Sequence, residues 1–333
     1  AYDRERRRAI QFLSRFSTVS RSATISAGVS ICGRAGVLVA AVNIVSLLSL
    51  LLLKNGRYSL MEISLFVVMA AASGIVSAIL TIGLLPVFEA TFGILSPLRL
   101  IELSNPNHPL LRKLLTEAPG TYHHSVMVAN LAEAACEAIG ADGLLARVAC
   151  YYHDIGKTKR PRYFIENQMG GNPHDHLSPQ LSKNIIIAHV ADGAALLRQH
   201  RLPKEIVDIA EQHHGTTLLK YFYHKAREQT EFVSEAEFRY PGPKPQTKEA
   251  AVINIADSVE AAVRSLSNPS QEKIEKIVRA IIADRLQDNQ LNECDITLKE
   301  LEIVARSLCE TLNGVFHSRI EYPEVRKEKV KHA

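Results

Sequence analysis

Tyr151-Tyr152-His153-Asp154-Ile155-Gly156-Lys157 is the stretch from which the rest of the chain is best read. It ends an apolar run whose spacing predicts a helix, and Gly156 marks the stop. A histidine beside an aspartate can put a nitrogen and a carboxylate on one metal centre, and the second carboxylate oxygen can reach another. One such pair carries little weight, because buried histidines and capping aspartates are common. The company raises it. His124 lies upstream, and His189, His213-His214 and Asp257 lie downstream, each in a segment that reads as helix. Asp257 follows Ile255 and Ala256 in mid-helix, where a buried carboxylate is costly without a partner.

Outward from this stretch the pattern stays helical. Helices are expected at about 121–139, 142–155, 180–200, 203–214, 217–230, 247–266, 270–285 and 297–317. The apolar positions Val128, Leu131, Ala135 and Ile139 recur near every 3.6 residues. Alternating strand patterns are absent, so the fold class is all-α. Two polar stretches, 158–179 and 231–246, predict functional lids or disorder; His174 and His176 fall in the first and are expected to be solvated. Residues 96–120, with Ser-Asn-Pro-Asn-His-Pro and Ala-Pro-Gly, predict a linker with one short helix near 110–115.

The N-terminal third differs in character. Residues 36–53 and 63–85 are almost wholly apolar and long enough to cross hydrocarbon, with Lys54-Asn55-Gly56-Arg57 as the turn between them. Gly74 and Gly83 suit close helix packing in lipid, and Pro86, Glu89 and Pro97 mark the exit. Seven arginines precede residue 35 against only Asp3 and Glu5, and Arg99, Arg112 and Lys113 follow the second span. That asymmetry puts both ends of a multi-pass hairpin, and the helical region after it, on the cytoplasmic side of the cell membrane. Residues 1–35 are a basic segment, with Ile10, Leu13 and Phe16 allowing a short amphipathic helix at a lipid surface. Residues 324–333 form a basic tail. The expected organisation is therefore 1–35, a membrane region 36–95, a helical domain 96–323 and a tail 324–333. The net charge of +4 is mild, and no basic stripe with aromatics marks a DNA or RNA duplex partner. Five scattered cysteines without a CxxC predict free thiols, not a disulfide framework or zinc knuckle.

Imidazole and carboxylate ligands without thiolate favour Fe, Mn, Co or Zn. Seven such side chains are too many for one ion and suit two that share a carboxylate. Two ions can hold a bridging hydroxide and stabilise both the attacking and the leaving oxygen of a phosphoryl displacement. The constellation resembles the HD superfamily of metal-dependent phosphohydrolases. Further runs carry the likeness: Ala118–Ser125, Arg147–Lys157, Asn172-Pro173-His174-Asp175, His213–Thr217, Phe238–Pro245 and Asp257–Arg264. Together they look like the seven-transmembrane HD family of cyclic-di-AMP phosphodiesterases.

That resemblance implies an HD-domain helical bundle behind a transmembrane hairpin, and a pair of divalent ions, iron or manganese. One ion would take His124, His153, Asp154 and Asp257; the other Asp154, His189, His213 and His214. It implies hydrolysis of cyclic di-AMP to linear 5′-pApA. The family has seven spans and a large extracytoplasmic domain, whereas about two spans are legible here. Another cyclic-dinucleotide branch carries Gly-Tyr-Pro after its paired histidines; here His213-His214 is followed by Gly215-Thr216-Thr217. Lys157 either neutralises a phosphate oxygen, the preferred reading, or interacts with a helix C-terminus. Arg264 shares a helical face with Asp257 and reaches either a phosphate or Glu260. Arg239 and Tyr240 either clamp the purine or belong to a rigid Pro-Gly loop, and His123 points away from His124. A receptor that only binds the nucleotide, or a hydrolase of another nucleotide phosphoester, are the alternatives, and a homo-oligomer is allowed.

Overall fold

The computed structural model describes residues 33–50, 52–53, 59–92, 95–230, 232–266 and 269–315. The amphipathic helix expected near Ile10–Phe16, the turn at 54–57 and the basic tail 324–333 lie outside the described residues. The chain divides into two compact units, Ala1–Lys113 and Leu114–Ala333.

In the first unit, α1 (Gly33–Leu50) and α2 (Leu60–Phe92) are long and apolar enough to cross a membrane, α2 through its stretch Leu60–Leu84. Apolar side chains such as Leu38, Val68 and Ile79 stand exposed along them. The two helices close on small residues. A Cβ added to Gly74 would lie 2.4 Å from the Gly36 carbonyl oxygen, so only glycine permits this approach. Asn43 Nδ2 donates to Ser73 Oγ at 2.9 Å, pairing two polar groups inside the apolar stretch. The helix expected to end near Pro86 and Glu89 instead runs through both to Phe92. One missing backbone donor does not stop a helix held by flanking turns. The short α3 (Pro97–Leu103) follows, and α4 (Pro109–Glu117) leads into the second unit. The expected linker is thus largely helical.

The second unit contains α5 (Pro119–Ala138), α6 (Gly143–Tyr152), α7 (Pro179–Gln199), α8 (Lys204–Gln212), α9 (Lys220–Gln229), α10 (Lys248–Arg264), α11 (Gln271–Gln287) and α12 (Leu298–Val315). Their starts are set by local chemistry. Asp142, Ser178, Thr247 and Ser270 each accept a backbone N–H from the first turn, and Pro119 and Pro179 open α5 and α7. One apolar core joins α5, α6, α10, α11 and α12 through Val128, Leu131, Ile253, Val259, Val304 and Leu308. Alanines 129, 132 and 135 on α5 and 250, 251 and 256 on α10 are fully buried. Such small side chains let the helix axes approach closely. Among the described residues there is no strand, only an isolated bridge between Leu218 and Arg239.

Four expectations are corrected. The helix expected to reach Ile155 ends at Tyr152, and the backbone passes through Asp154 into a 3₁₀ turn, Ile155–Lys159. The polar stretch 158–179 is ordered as further 3₁₀ turns, Pro161–Tyr163, Ile165–Asn167 and Pro173–His176, with Phe164 buried beneath them. His174 is not solvated: it is buried, bonds the Tyr163 carbonyl through Nε2, and packs against Phe222. His176 is exposed, as expected. The stretch 231–246 likewise packs inward, burying Phe238 and Tyr240. Short 3₁₀ turns have no apolar period of their own, so composition alone reads them as loop.

Candidate metal centre

The seven candidate ligands, 133 residues apart at the extremes, meet in the second unit. They fall into two groups whose ligand atoms lie within 4.8 Å of one another: His124, His153, Asp154 and Asp257, and His189, His213 and His214. Asp154 stands between them. Its Oδ2 faces His153 Nε2 at 3.2 Å and His124 Nε2 at 3.7 Å. Its Oδ1 faces His189 Nε2 at 3.3 Å and His213 Nε2 at 3.7 Å. Asp257 also spans the gap, with Oδ1 2.8 Å from His124 Nε2 and Oδ2 3.7 Å from His214 Nδ1.

Local structure aims these groups. His153 and His213 are the residues at which α6 and α8 end. There the chain leaves the helix and can turn a side chain along the axis. The outer nitrogens are tied down. Nδ1–H of His153, His189 and His213 donates to the carbonyl three residues earlier, at Cys150, Ile186 and Ala210. His124 Nδ1 bonds the carboxylate of Glu260. Four imidazoles therefore turn Nε2 inward, where loss of its proton frees a lone pair for a metal. Gly156 does not end α6, which stops at Tyr152; its role is one of packing. A Cβ there would lie 2.0 Å from the His189 carbonyl oxygen, so its absence lets the 3₁₀ turn press against α7.

The cavity so formed is rich in lone pairs and short of donors. His153 Nε2 and Asp154 Oδ1 are buried without a well-formed hydrogen bond. Protons alone satisfy it poorly. Burial opposes charge on His153, yet the Asp154 carboxylate beside it outweighs burial and raises its pKa to about 10. Burial, then the neighbouring His153, lowers His213 to about 3. Burial and His213 push His214 well below its ordinary value. Burial also works against ionised Asp154, but His153 and Lys157 hold it well below the usual carboxylate range. Imidazoles around ionised carboxylates are a divalent cation's ligands once the cation displaces their inward protons, and the residues fit a divalent metal site.

The remaining candidates divide. Lys157 Nζ lies 2.7 Å from Asp154 Oδ2 and 2.9 Å from Glu166 Oε1, at the edge of the cluster. Tyr240 stacks on His214 at 4.3 Å and is buried. Arg264 lies 3.7 Å from Glu260, the i,i+4 pairing. The Arg239 donors are taken up by Asp288, Glu235 and the Thr216 carbonyl. That guanidinium lines a separate polar cavity with Lys220, Asp284 and Arg285. His123 is exposed. Several supporting residues were not singled out by the sequence. Glu260 follows Asp257 by three residues and so shares its face, a signal that could have found it. Asn254 donates to the His213 carbonyl and accepts from Arg285. Glu166 offered no local signal at all.

Residues 121–262 match the HD domain family, and residues 31–96 match the family described as 7TM receptor with intracellular HD hydrolase. A crystal structure of the L. monocytogenes phosphodiesterase PgpH HD domain in complex with cyclic-di-AMP superposes with a TM-score of 0.62 at 60% identity, over 65% of this chain and 100% of that one. The chain belongs to the HD family. This HD chain is 67% identical over 294 residues to a cyclic-di-AMP phosphodiesterase, PgpH, of Bacillus subtilis (strain 168), covering 88% of its own length and 41% of the relative's. It is 55% identical over 292 residues to the PgpH of Listeria monocytogenes serotype 1/2a (strain 10403S), covering 87% and 40%. It thus spans about two fifths of the length of these curated relatives. Two apolar helices and the 7TM match together point to membrane association of the HD protein.

Proposed function

We propose that the chain is a membrane-anchored, divalent-metal-dependent phosphodiesterase that hydrolyses cyclic di-AMP to 5′-pApA. The observation that carries this reading is Asp154, whose two oxygens face two separate groups of histidines. In this reading His124, His153, Asp154 and Asp257 would hold one ion, and Asp154, His189, His213 and His214 would hold the other. Iron or manganese suits nitrogen and carboxylate donors without thiolate. When bound, such ions supply a water acidic enough to attack near neutral pH and positive charge against the phosphate.

The chain's own groups do the rest. Asp154 and Asp257 fix the spacing of the two halves, because each reaches across the gap. The Nδ1 bonds of His124, His153, His189 and His213 keep their Nε2 atoms turned inward. Lys157 is placed to meet a non-bridging phosphate oxygen beside Asp154, which opposes charge developing there. Tyr240, stacked on His214, lies at the same wall. Arg264 stands one side chain from His124 through Glu260, which supports a role for it at a second phosphate. Arg239 does not enter, since its donors already have three partners. The relatives named for cyclic-di-AMP cleavage support the choice of substrate. Arginines and lysines flanking α1 and α2 support a multi-pass anchor with the HD unit facing the cytoplasm.

The test is the full chain in detergent or nanodiscs, loaded with Mn²⁺ or Fe²⁺ and given cyclic di-AMP. Formation of pApA is expected, together with about two metal equivalents per chain. Asp154→Asn is expected to lose both metal retention and turnover, because it removes the shared ligand. No pApA above a metal-free control, with any of these metals, sinks the proposal.

A further inference from the structure

Two carboxylates share the Lys157 ammonium. One is Asp154, inside the histidine cluster. The other is Glu166, on the short 3₁₀ turn Ile165–Asn167, which neither the sequence nor the ligand set singles out. The Glu166 side chain is only 6% exposed. Its Oε1 accepts from Lys157 Nζ at 2.9 Å and from Thr121 Oγ1 at 3.0 Å. Asn167 next to it completes the attachment. Its Oδ1 accepts the Thr121 backbone N–H at 3.2 Å, and its Nδ2 donates to Thr121 Oγ1 at 2.8 Å. The same segment supplies Phe164, whose ring centroid lies 5.0 Å from Lys157 Nζ and 5.6 Å from the His189 ring. Gly120 makes room for this: a Cβ there would fall 1.8 Å from the Glu166 carbonyl oxygen. The segment is therefore strapped onto the start of α5, three residues before His124, and walls Lys157 on two sides.

We propose that Glu166 is the positioning residue of Lys157. A lysine side chain has a long flexible stem and much rotamer freedom to lose when held. Asp154 is a poor sole anchor, because both its oxygens also face histidine nitrogens and are claimed by whatever cation those nitrogens hold. Glu166 faces none of the seven ligands. It keeps the ammonium at the edge of the cluster when Asp154 is engaged, with the Phe164 face beneath it. Thr121 in turn keeps Glu166 in place. This inference rests on the reading of Lys157 as a phosphate contact.

The test is a double-mutant cycle on the full, metal-loaded chain: Glu166→Gln, Lys157→Met and both together. Glu166→Gln is expected to lower kcat/KM for cyclic di-AMP by about ten- to a hundredfold, with bound metal unchanged by elemental analysis. In the Lys157→Met background the same substitution is expected to change nothing further. Thr121→Val, which loosens the strap but leaves the Lys157–Glu166 bond, is expected to preserve that coupling. Unchanged activity in Glu166→Gln, loss of metal from it, or an equal loss in both backgrounds overturns the proposal. If the parent chain does not cleave cyclic di-AMP, the proposed function fails at that step. The cycle read as cyclic di-AMP affinity then still decides whether positions 157 and 166 are coupled.

Discussion

His124, His153, His189 and His213 each have Nδ1 tied down outside the cluster and Nε2 facing the cavity. That division sets how the site answers to pH. Without a cation, His153 is held protonated by Asp154, with a pKa raised to about 10. A raised folded-state pKa stabilises the fold fully below the ordinary histidine value near 6.5 and loses that contribution as pH rises through about 10. Bound metal reverses the preference, because its ligands must be deprotonated. Chelated protein is therefore expected to melt at progressively lower temperature from pH 6.5 towards 10, while metal-loaded protein holds or gains. Parallel slopes with and without chelator count against the assignment of His153. At this scale the sequence named all seven side chains that the fold brings together, because histidine and aspartate in helical segments are conspicuous. It missed Glu260 as the partner of His124, 136 residues away, since nothing in either neighbourhood refers to the other. It also set His174 in solvent, where the fold needed a buried donor for the Tyr163 carbonyl.

Among the elements, the 3₁₀ turn Ile155–Lys159 and α7 depend most sharply on one residue. Gly156 lets the turn sit against the α7 backbone at His189 and Gly193. Gly156→Ala would put a methyl 2.0 Å from the His189 carbonyl oxygen and 2.5 Å from the Gly193 nitrogen. Backbone cannot yield as a side chain does, so α7 must shift and take His189 with it. A loss of about 3 kcal/mol, the upper end for overpacking, is expected in denaturant unfolding. Weaker retention of the second ion should accompany it. Wild-type stability and metal content in that variant contradict the packing described. The long helices α5, α7 and α10 were legible from their apolar runs and period. The 3₁₀ segments between α6 and α7 were not, because a three-residue turn contains no period to read.

For the molecule as a whole, ligands come from α5, α7 and α10 and from the ends of α6 and α8, so holding a cation and holding the second unit together are one process. Melting temperature is expected to rise with Mn²⁺ concentration, by the equivalent of about 2.7 kcal/mol at a hundred times the dissociation constant. A melting temperature indifferent to Mn²⁺ and to chelator would separate the fold from the metal and undo this view. The amino-acid order alone determined that the protein is helical, that two apolar stretches lead a polar domain, and which residue types offer metal-binding atoms. Those are properties of neighbours within a turn or two, where period and composition suffice. Only the tertiary structure decided that Asp154 turns one oxygen to each histidine group, that Asp257 reaches both, and that Glu166 shares Lys157. Such facts depend on how helices far apart in the chain are packed, and packing is a sum over contacts that no local window contains.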